Sequence, residues 1–167
     1  MSRVHFVESQ TELVLPILST HTEQESLEQN LLRGRILLVD DDDDLRRLLR
    51  ALLEGDGYEV FSCRDATRAL KVFASRGDID LLLTDFQMPQ MSGVELSQRI
   101  SQERPHLPVL ILSGEVLPDE LRATIAANGW QLIPKPCEIP VLLQIIASRL
   151  QAMRTINADA RTEACVP

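Results

Sequence analysis

Short, continuous apolar runs alternate with stretches of helical period between residues 34 and 152, and this alternation limits the possible folds more than any other feature. The predicted strands occupy residues 35–40, 58–62, 79–84, 108–112 and 131–133. Continuous runs of this length are typical of strands covered on both faces, and the stretches between them repeat apolar residues at helical spacing. Five successive strand–helix units predict an α/β protein with a parallel sheet, right-handed crossovers and helices on both faces.

Four of the predicted strands are followed by polar side chains of different chemistry. Asp40 and Asp41 end the first run, and Asp85 ends the third. Ser113 follows the fourth run, and Lys135 lies just beyond the short fifth one. The carboxyl ends of parallel strands share one edge of a sheet, where α/β proteins bind their ligands. The sequence therefore predicts one polar site built from these five residues.

The carboxylates predict a metal site. Asp40, Asp41 and Asp85 would place three negative charges in a small volume, where mutual repulsion raises some pKa values and strains the fold. Mg²⁺ would relieve that repulsion, because it prefers oxygen ligands and bridges protein carboxylates to phosphate. The backbone carbonyl of Gln87 could supply a further oxygen. Taken singly, Asp40 and Asp41 fit a solvated loop equally well, and the aspartates at 42–44 are interpreted as a helix N-terminus.

The same site suits phosphoryl transfer. A carboxylate can attack phosphorus and form an acyl phosphate, and Asp85 is the predicted nucleophile because it ends the central strand. Lys135 and the metal would neutralise charge on the transferring group, and Ser113 could donate a hydrogen bond to a phosphoryl oxygen. Taken alone, Asp85 could cap the next segment, Ser113 could be a turn residue and Lys135 a surface charge. Their order at the strand ends favours a common site.

Composition limits the partners and the cell compartment expected for the chain. The formal net charge of −8 argues against nucleic acid or anionic membrane as a main partner, because phosphate binding needs clustered lysine and arginine. The cysteines, Cys63, Cys137 and Cys165, are widely spaced and suit a reducing compartment rather than a disulfide framework. No run of about 18 apolar residues is present, and the start lacks a secretory pattern. A cytoplasmic location is predicted.

The two ends differ in composition from the alternating part. Residues 1–33 are rich in glutamate, glutamine, serine and threonine, and we interpret them as an extension with a short helix near residues 24–32. The last predicted helix ends near Met153, and residues 153–167 are predicted to form a frayed tail. A tail of about 15 residues leaves no room for an output domain, so a stand-alone protein is expected. A fragment of a larger hybrid kinase is the alternative.

Four blocks in this order resemble the receiver domain of two-component response regulators, over about residues 34–150. The blocks are RILLVDDDDDLRRLLRALLEGDGYEV, DIDLLLTDFQMPQMSGVEL, LPVLILSGE and IPKPCE. The resemblance implies a flavodoxin-like fold with strand order 2-1-3-4-5 for a domain at 34–152. It also implies a cis peptide bond between Lys135 and Pro136, since X–Pro bonds adopt the cis form at low cost.

The resemblance further implies a role for each polar residue. Asp40 and Asp41 would be the acid pair that binds Mg²⁺, and Asp85 would be the phosphoacceptor. Gln87 would supply a carbonyl ligand to the metal. Ser113 would be the hydroxyl residue of the site, and Lys135 its lysine. Asp85 would also contact the metal. The sequence departs from the family pattern at Leu132, where many receivers carry an aromatic residue whose rotation accompanies phosphorylation.

The main functional prediction is a phosphoacceptor that is not itself an enzyme. Its implied partner is a sensor histidine kinase or a histidine phosphotransfer protein, and its output is contact with an unidentified downstream protein, relay to another histidine or a phosphate sink. The last helix makes a homodimer a further expectation. Two alternatives stay open at this point. One is a haloacid-dehalogenase-like phosphatase starting at Asp40, although no acidic pair follows Lys135, and the other is a receiver-like adaptor that is never phosphorylated.

Overall fold

The computed structural model describes residues 33–163, so the predicted short helix at 24–32 and Cys165 lie outside the described residues. Strands and helices alternate along the described part. The strands are β1 (Gly34–Val39), β2 (Tyr58–Cys63), β3 (Leu81–Asp85), β4 (Val109–Ser113) and β5 (Gln131–Pro134). The helices are α1 (Asp43–Gly55), α2 (Ala66–Ser75), α3 (Gly93–Glu103), α4 (Asp119–Ala127) and α5 (Ile139–Glu163).

The five strands form one parallel sheet in the order β2-β1-β3-β4-β5, which confirms the predicted fold class and strand order. The order reverses between β1 and β3, which is where ligands bind in open α/β sheets. The register pairs Val39 with Thr84 and Asp85 with Leu112. The residues that end β1 and β3 therefore lie side by side at the carboxyl edge of the sheet.

Two apolar layers cover the sheet, because successive side chains of a strand point to opposite faces. Leu37 and Val39 of β1 belong to the buried cluster that includes Phe73 of α2 and Ile100 of α3. The neighbouring residues of β1, Ile36 and Leu38, belong to a second cluster with residues of α1 and α5. The central strands β1, β3 and β4 are buried on both faces, which explains their nearly continuous apolar sequences, whereas the edge strands β2 and β5 are only partly buried.

The run of aspartates begins a helix, as interpreted from the sequence. Asp42 is the N-cap of α1, and its carboxylate accepts hydrogen bonds from the backbone N–H groups of Asp44 at 2.9 Å and Leu45 at 3.0 Å. These bonds lower the pKa of Asp42. Asp43 and Asp44 occupy the first turn, where the helix dipole favours negative charge. The cap fixes the start of α1 directly behind Asp40 and Asp41.

The predicted end of the last helix is wrong. We expected the helix to stop near Met153, but α5 continues to Glu163. The stretch from 151 to 163 contains no glycine or proline, the residues that most strongly end helices, and it is rich in alanine and arginine, which favour them. No helix among residues 33–163 is long and apolar enough to cross a membrane.

Arg104, the C-cap residue of α3, holds the connection between α2 and β3 at the amino edge of the sheet. Its guanidinium donates hydrogen bonds to the backbone carbonyls of Ile79 at 2.9 Å, Gly77 at 3.1 Å and Arg76 at 3.4 Å. It also lies over the ring of Phe73, 4.6 Å from the centroid. Backbone carbonyls that would otherwise lack partners are satisfied by one planar cation.

We expect Arg104→Ala to lower the free energy of unfolding by about 2 kcal/mol, because hydrogen bonds from a charged donor contribute about 1.5–3 kcal/mol before allowance for partial exposure. Urea unfolding of the purified variant measures the change. Arg122→Ala is the control, since Arg122 makes only an exposed ion pair with Asp119 at 3.8 Å and should shift stability by less than about 1 kcal/mol. Equal effects from the two substitutions would contradict the role of Arg104.

Candidate functional site

Lys135 joins two carboxylates at the carboxyl edge of the sheet. Its ammonium lies 2.5 Å from Oδ1 of Asp85 and 3.1 Å from Oδ2 of Asp40. Both acids are buried, with 1% of Asp40 and 7% of Asp85 exposed. The peptide bond between Lys135 and Pro136 is cis, which confirms that expectation. The structure thus brings together side chains that lie up to 95 residues apart in the sequence.

Burial and charge act against each other in this cluster. Burial raises the pKa of Asp40, although the hydrogen bonds from Lys135 and from the backbone of Asp42 oppose that rise. Burial by itself lowers the pKa of Lys135, but hydrogen bonds and charge from Asp85 and Asp40 outweigh it, so the pKa of the lysine is raised. The lysine therefore stays protonated at neutral pH. One ammonium does not fully offset the cost of burying the carboxyl group of Asp40 in its charged form.

Arg46 fixes the position of the acid pair, and the sequence analysis missed it. From the first turns of α1 its guanidinium donates a 2.8 Å hydrogen bond to the backbone carbonyl of Asp40 and forms an ion pair with Asp43. The hydrogen bond to Arg46 lowers the pKa of Asp43. The spacing of Asp43 and Arg46, three residues apart on a predicted helix, is the sequence signal for the ion pair. The contact with the backbone of Asp40 has no such signal.

The oxygen atoms at this edge fit a Mg²⁺ ion in part. Within residues 33–163, no three carboxylate, histidine or cysteine side chains form a group that could hold a metal without other ligands. Lys135 joins Asp40 and Asp85, whereas Asp41 is exposed, so a role for Asp41 in holding the metal stays a prediction. In the same range no hydrogen bond is made to the backbone carbonyl of Gln87, so this oxygen is available.

The chemistry of the donors nevertheless suits a hard cation. Mg²⁺ keeps several water ligands and commonly takes only one or two protein carboxylates, so a three-carboxylate group is not required. Burial raises the pKa of Asp40, so a further positive charge beside it would favour its charged form. A divalent cation at the oxygens of Asp40, Asp85 and Gln87 would supply that charge, with Asp41 at the exposed side.

Ser113 ends β4 beside this cluster, and its hydroxyl is turned toward the following loop. The hydroxyl donates a 2.9 Å hydrogen bond to the backbone carbonyl of Glu115 and accepts one from the N–H of the same residue at 3.3 Å. Among residues 33–163, no hydrogen bond joins Ser113 to the side chains of Asp85 or Lys135. The backbone of Lys135 does bond the carbonyl of Ser113 at 2.7 Å.

Gly93 is a second residue of the site that the sequence analysis missed. A β-carbon at this position would lie 2.1 Å from the backbone oxygen of Asp85 and 3.0 Å from a methyl group of Thr84. The N–H of Gly93 donates a 2.9 Å hydrogen bond to the carbonyl of Phe86. Only a glycine lets the start of α3 approach the end of β3 so closely. A glycine directly after an N-cap serine was the only signal in the sequence.

Leu132 lies in the middle of β5 and is half buried. It packs with the cluster that contains Trp130 and Ile125. A leucine side chain has no polar group, so it can follow a movement of the neighbouring loop only by packing. The folded domain therefore carries an apolar, non-aromatic side chain at position 132, where many receivers carry an aromatic residue.

The comparisons with known proteins agree on one family. The family model for the response regulator receiver domain matches residues 36–147. Among curated relatives, the transcriptional regulatory protein GlrR of Escherichia coli is 32% identical over 134 residues, which cover 80% of this chain and 30% of GlrR. The sensor histidine kinase RcsC of Salmonella typhimurium is 30% identical over 158 residues, which cover 95% of this chain and 16% of RcsC. The chain thus spans less than a third of the length of these relatives.

Solved structures give the same result. A receiver domain protein from Clostridium thermocellum superposes with a TM-score of 0.69 at 27% identity, covering 74% of this chain and 98% of that protein. The receiver domain of the hybrid histidine kinase CckA gives a TM-score of 0.60 at 32% identity, covering 70% of this chain and 99% of that domain. With a family model that matches most of the described residues and a sheet of the same strand order, the chain belongs to the receiver domain family of two-component response regulators.

Proposed function

We propose that this receiver accepts a phosphoryl group on Asp85 from a sensor histidine kinase or a histidine phosphotransfer protein, in a reaction that requires Mg²⁺. The observation that carries the proposal is the ammonium of Lys135 bridging the buried carboxylates of Asp85 and Asp40. This contact supports the proposal because the proposed nucleophile lies beside a cation that could neutralise the phosphoryl group and beside a carboxylate that could bind the metal. Receiver domains are signalling modules that interact with such kinases, which supports the choice of donor.

The proposed chemistry is a displacement at phosphorus. A carboxylate oxygen of Asp85 attacks, the bond from phosphorus to the imidazole nitrogen of the donor breaks, and its electron pair stays on that nitrogen. Lys135 would pair with the phosphoryl oxygens after transfer, as it now pairs with Asp85. Asp40, Asp41, Asp85 and the carbonyl of Gln87 would hold Mg²⁺, which when bound neutralises negative charge on the phosphoryl group.

Output is proposed to pass through protein contacts or through relay to another histidine. The relatives include multidomain regulators and sensor kinases, so the stand-alone arrangement stays a prediction, as do the cytoplasmic location and the homodimer. The downstream partner is part of the same proposal and is tested only after the acceptor is known.

Intact-protein mass spectrometry after incubation with Mg²⁺ and acetyl phosphate tests the acceptor. Wild type is expected to gain one phosphoryl group, and Asp85→Asn none, because an amide is not a nucleophile toward phosphorus at neutral pH. Asp44→Asn is the matched control, since the side chain of Asp44 is 94% exposed and should leave the gain intact. Chelation of the metal is expected to abolish the gain in wild type.

Other results would point to the alternatives. A phosphoryl gain in Asp85→Asn equal to that of wild type would rule out Asp85 as the acceptor. Turnover of a generic phosphate ester that is lost in Asp40→Asn but kept in Asp85→Asn would favour a phosphatase. Binding of a partner with no phosphoryl gain from either acetyl phosphate or a kinase would favour an adaptor.

A further inference from the structure

Two loops at the carboxyl edge of the sheet are joined by one side-chain hydrogen bond. The side-chain amide of Gln87, two residues after Asp85, donates to a carboxylate oxygen of Glu115 at 2.9 Å. Glu115 lies two residues after Ser113, in the loop between β4 and α4. In the described part of the chain this is the only side chain to side chain hydrogen bond between the loop after β3 and the loop after β4.

Glu115 also forms hydrogen bonds with the hydroxyl group of Ser113 through its backbone. A serine hydroxyl has one proton to donate, and that proton is used in the 2.9 Å bond to the backbone carbonyl of Glu115. To donate to a phosphoryl oxygen on Asp85, the hydroxyl would have to leave this carbonyl. Any interaction that holds Glu115 in place therefore holds Ser113 in the position in which it cannot serve the phosphoryl group.

The side chain that many receivers use at position 132 offers no alternative control here. Leu132 packs against apolar neighbours and has no group that could hydrogen-bond the loop between β4 and α4. Within residues 33–163, the side chain of Gln87 is the group outside this loop that bonds the side chain of Glu115. The side-chain contact of this loop thus comes from the β3 side of the site, where Asp85 lies.

We propose that the hydrogen bond between Gln87 and Glu115 is a latch that holds the loop after β4, and with it the hydroxyl of Ser113, in the resting position. The inference rests on the proposed phosphoryl transfer to Asp85 for its functional consequence. Opening the latch frees Ser113 to reach the phosphoryl group, and closing it favours the unphosphorylated state. Gln87 and Glu115 are positioning residues, because they act through Ser113.

The expected size of the effect follows from one exposed hydrogen bond. Such a bond changes an equilibrium by about two- to tenfold, since its net contribution is about 0.5–1.5 kcal/mol. Loss of the latch should raise by that factor the fraction of molecules whose loop is open, and the rate of phosphorylation by acetyl phosphate should rise with it. The metal ligand at position 87 is the backbone carbonyl, so a change of side chain leaves that ligand in place.

Four variants of the full chain separate the latch from a simple effect of charge. Gln87→Ala removes the donor, Glu115→Ala removes the acceptor, and the double variant removes both. Glu115→Gln keeps an acceptor oxygen for Gln87 but removes the negative charge, so it is the matched control. Two readouts are used on each protein: amide hydrogen exchange of residues 114–117 without phosphodonor, and the initial rate of phosphorylation with Mg²⁺ and acetyl phosphate. Trp130, the chain's single tryptophan, lies beside Val116 and Leu117 of this loop. We expect its fluorescence to report the reaction.

The latch predicts a specific pattern. Each alanine variant should exchange and react about two- to tenfold faster than wild type, and the double variant no faster than the singles, because all three lose the same bond. Glu115→Gln should stay near wild type. Additive effects, or equal acceleration in Glu115→Gln and Glu115→Ala, would overturn the latch in favour of charge repulsion between Glu115 and the phosphodonor.

Failure of the latch and failure of the proposed function give different results. If wild type and all variants stay unphosphorylated, the proposed transfer to Asp85 is wrong, and hydrogen exchange alone still decides whether Gln87 and Glu115 hold the loop. If wild type is phosphorylated and the exchange of residues 114–117 is the same in all variants, the latch is wrong while the transfer stands. Hydrogen exchange detects opening of this kind directly.

Discussion

Gly93→Ala is expected to lower the free energy of unfolding by about 3 kcal/mol or more, the largest loss that we expect from a single methyl group in this domain. The added β-carbon would lie 2.1 Å from the backbone oxygen of Asp85, far closer than two non-bonded atoms can approach. The start of α3 must then move away from β3, which breaks the 2.9 Å bond from the N–H of Gly93 to Phe86. Because Asp85 carries the strained contact, phosphoryl acceptance should fall together with stability.

Urea unfolding followed by circular dichroism measures this change, and Gly55→Ala is its control. Gly55 ends α1, and a β-carbon there would meet nothing within 4 Å. Its replacement should leave stability unchanged or raise it by up to about 1 kcal/mol, since alanine restricts the unfolded chain. If both glycine variants unfold at the same urea concentration as wild type, the close approach of α3 to Asp85 is wrong.

Lys135→Met is expected to reduce the rate of phosphorylation by acetyl phosphate about a hundredfold or more, the usual effect of removing one group that stabilises transition-state charge. The same substitution leaves the buried carboxylates of Asp40 and Asp85 without the cation that now lies 3.1 Å and 2.5 Å from them. Removing one partner of a fully buried ion pair costs about 3–5 kcal/mol. Since the side chain of Lys135 is 25% exposed, we expect a smaller loss of stability, about 2 kcal/mol.

The matched control for this substitution is Lys71→Met, at the chain's one other lysine, which is exposed on α2. It should change neither the rate nor the stability measurably. Added Mg²⁺ should restore part of the stability that Lys135→Met loses, because a divalent cation on Asp40 and Asp85 replaces the missing positive charge. A variant as stable and as reactive as wild type would show that Lys135 is a surface charge, the ordinary reading of its sequence.

The fold could be predicted because its signals are local and repeated. Buried parallel strands leave continuous apolar runs, and each amphipathic helix between them has its own period, so the element order follows from the sequence. The cluster of Asp40, Asp85 and Lys135 was predicted for a related reason. Residues that follow parallel strands necessarily meet at one edge of the sheet, whatever their separation along the chain.

What the sequence could not show depends on which way a side chain faces or on how closely two backbones approach. Asp40 and Asp41 are equivalent in sequence, but successive residues at the end of a strand face opposite ways, and here one is buried while the other is exposed. The need for glycine at position 93 arises only when α3 is packed on β3. The bond between Gln87 and Glu115 joins two loops whose separation no periodicity records.

The hydrogen bonds of Arg104 make the amino edge of the sheet different from the carboxyl edge. At the amino edge one guanidinium bonds three backbone carbonyls of the connection between α2 and β3. At the carboxyl edge, within residues 33–163, one exposed side-chain hydrogen bond joins the loop after β3 to the loop after β4. We therefore expect the connection at the amino edge to open less often than the loops at the carboxyl edge. Stability against unfolding and the opening of the loops then depend on different residues. Substitutions at the amino edge could therefore raise the free energy of unfolding without slowing the loops beside Asp85.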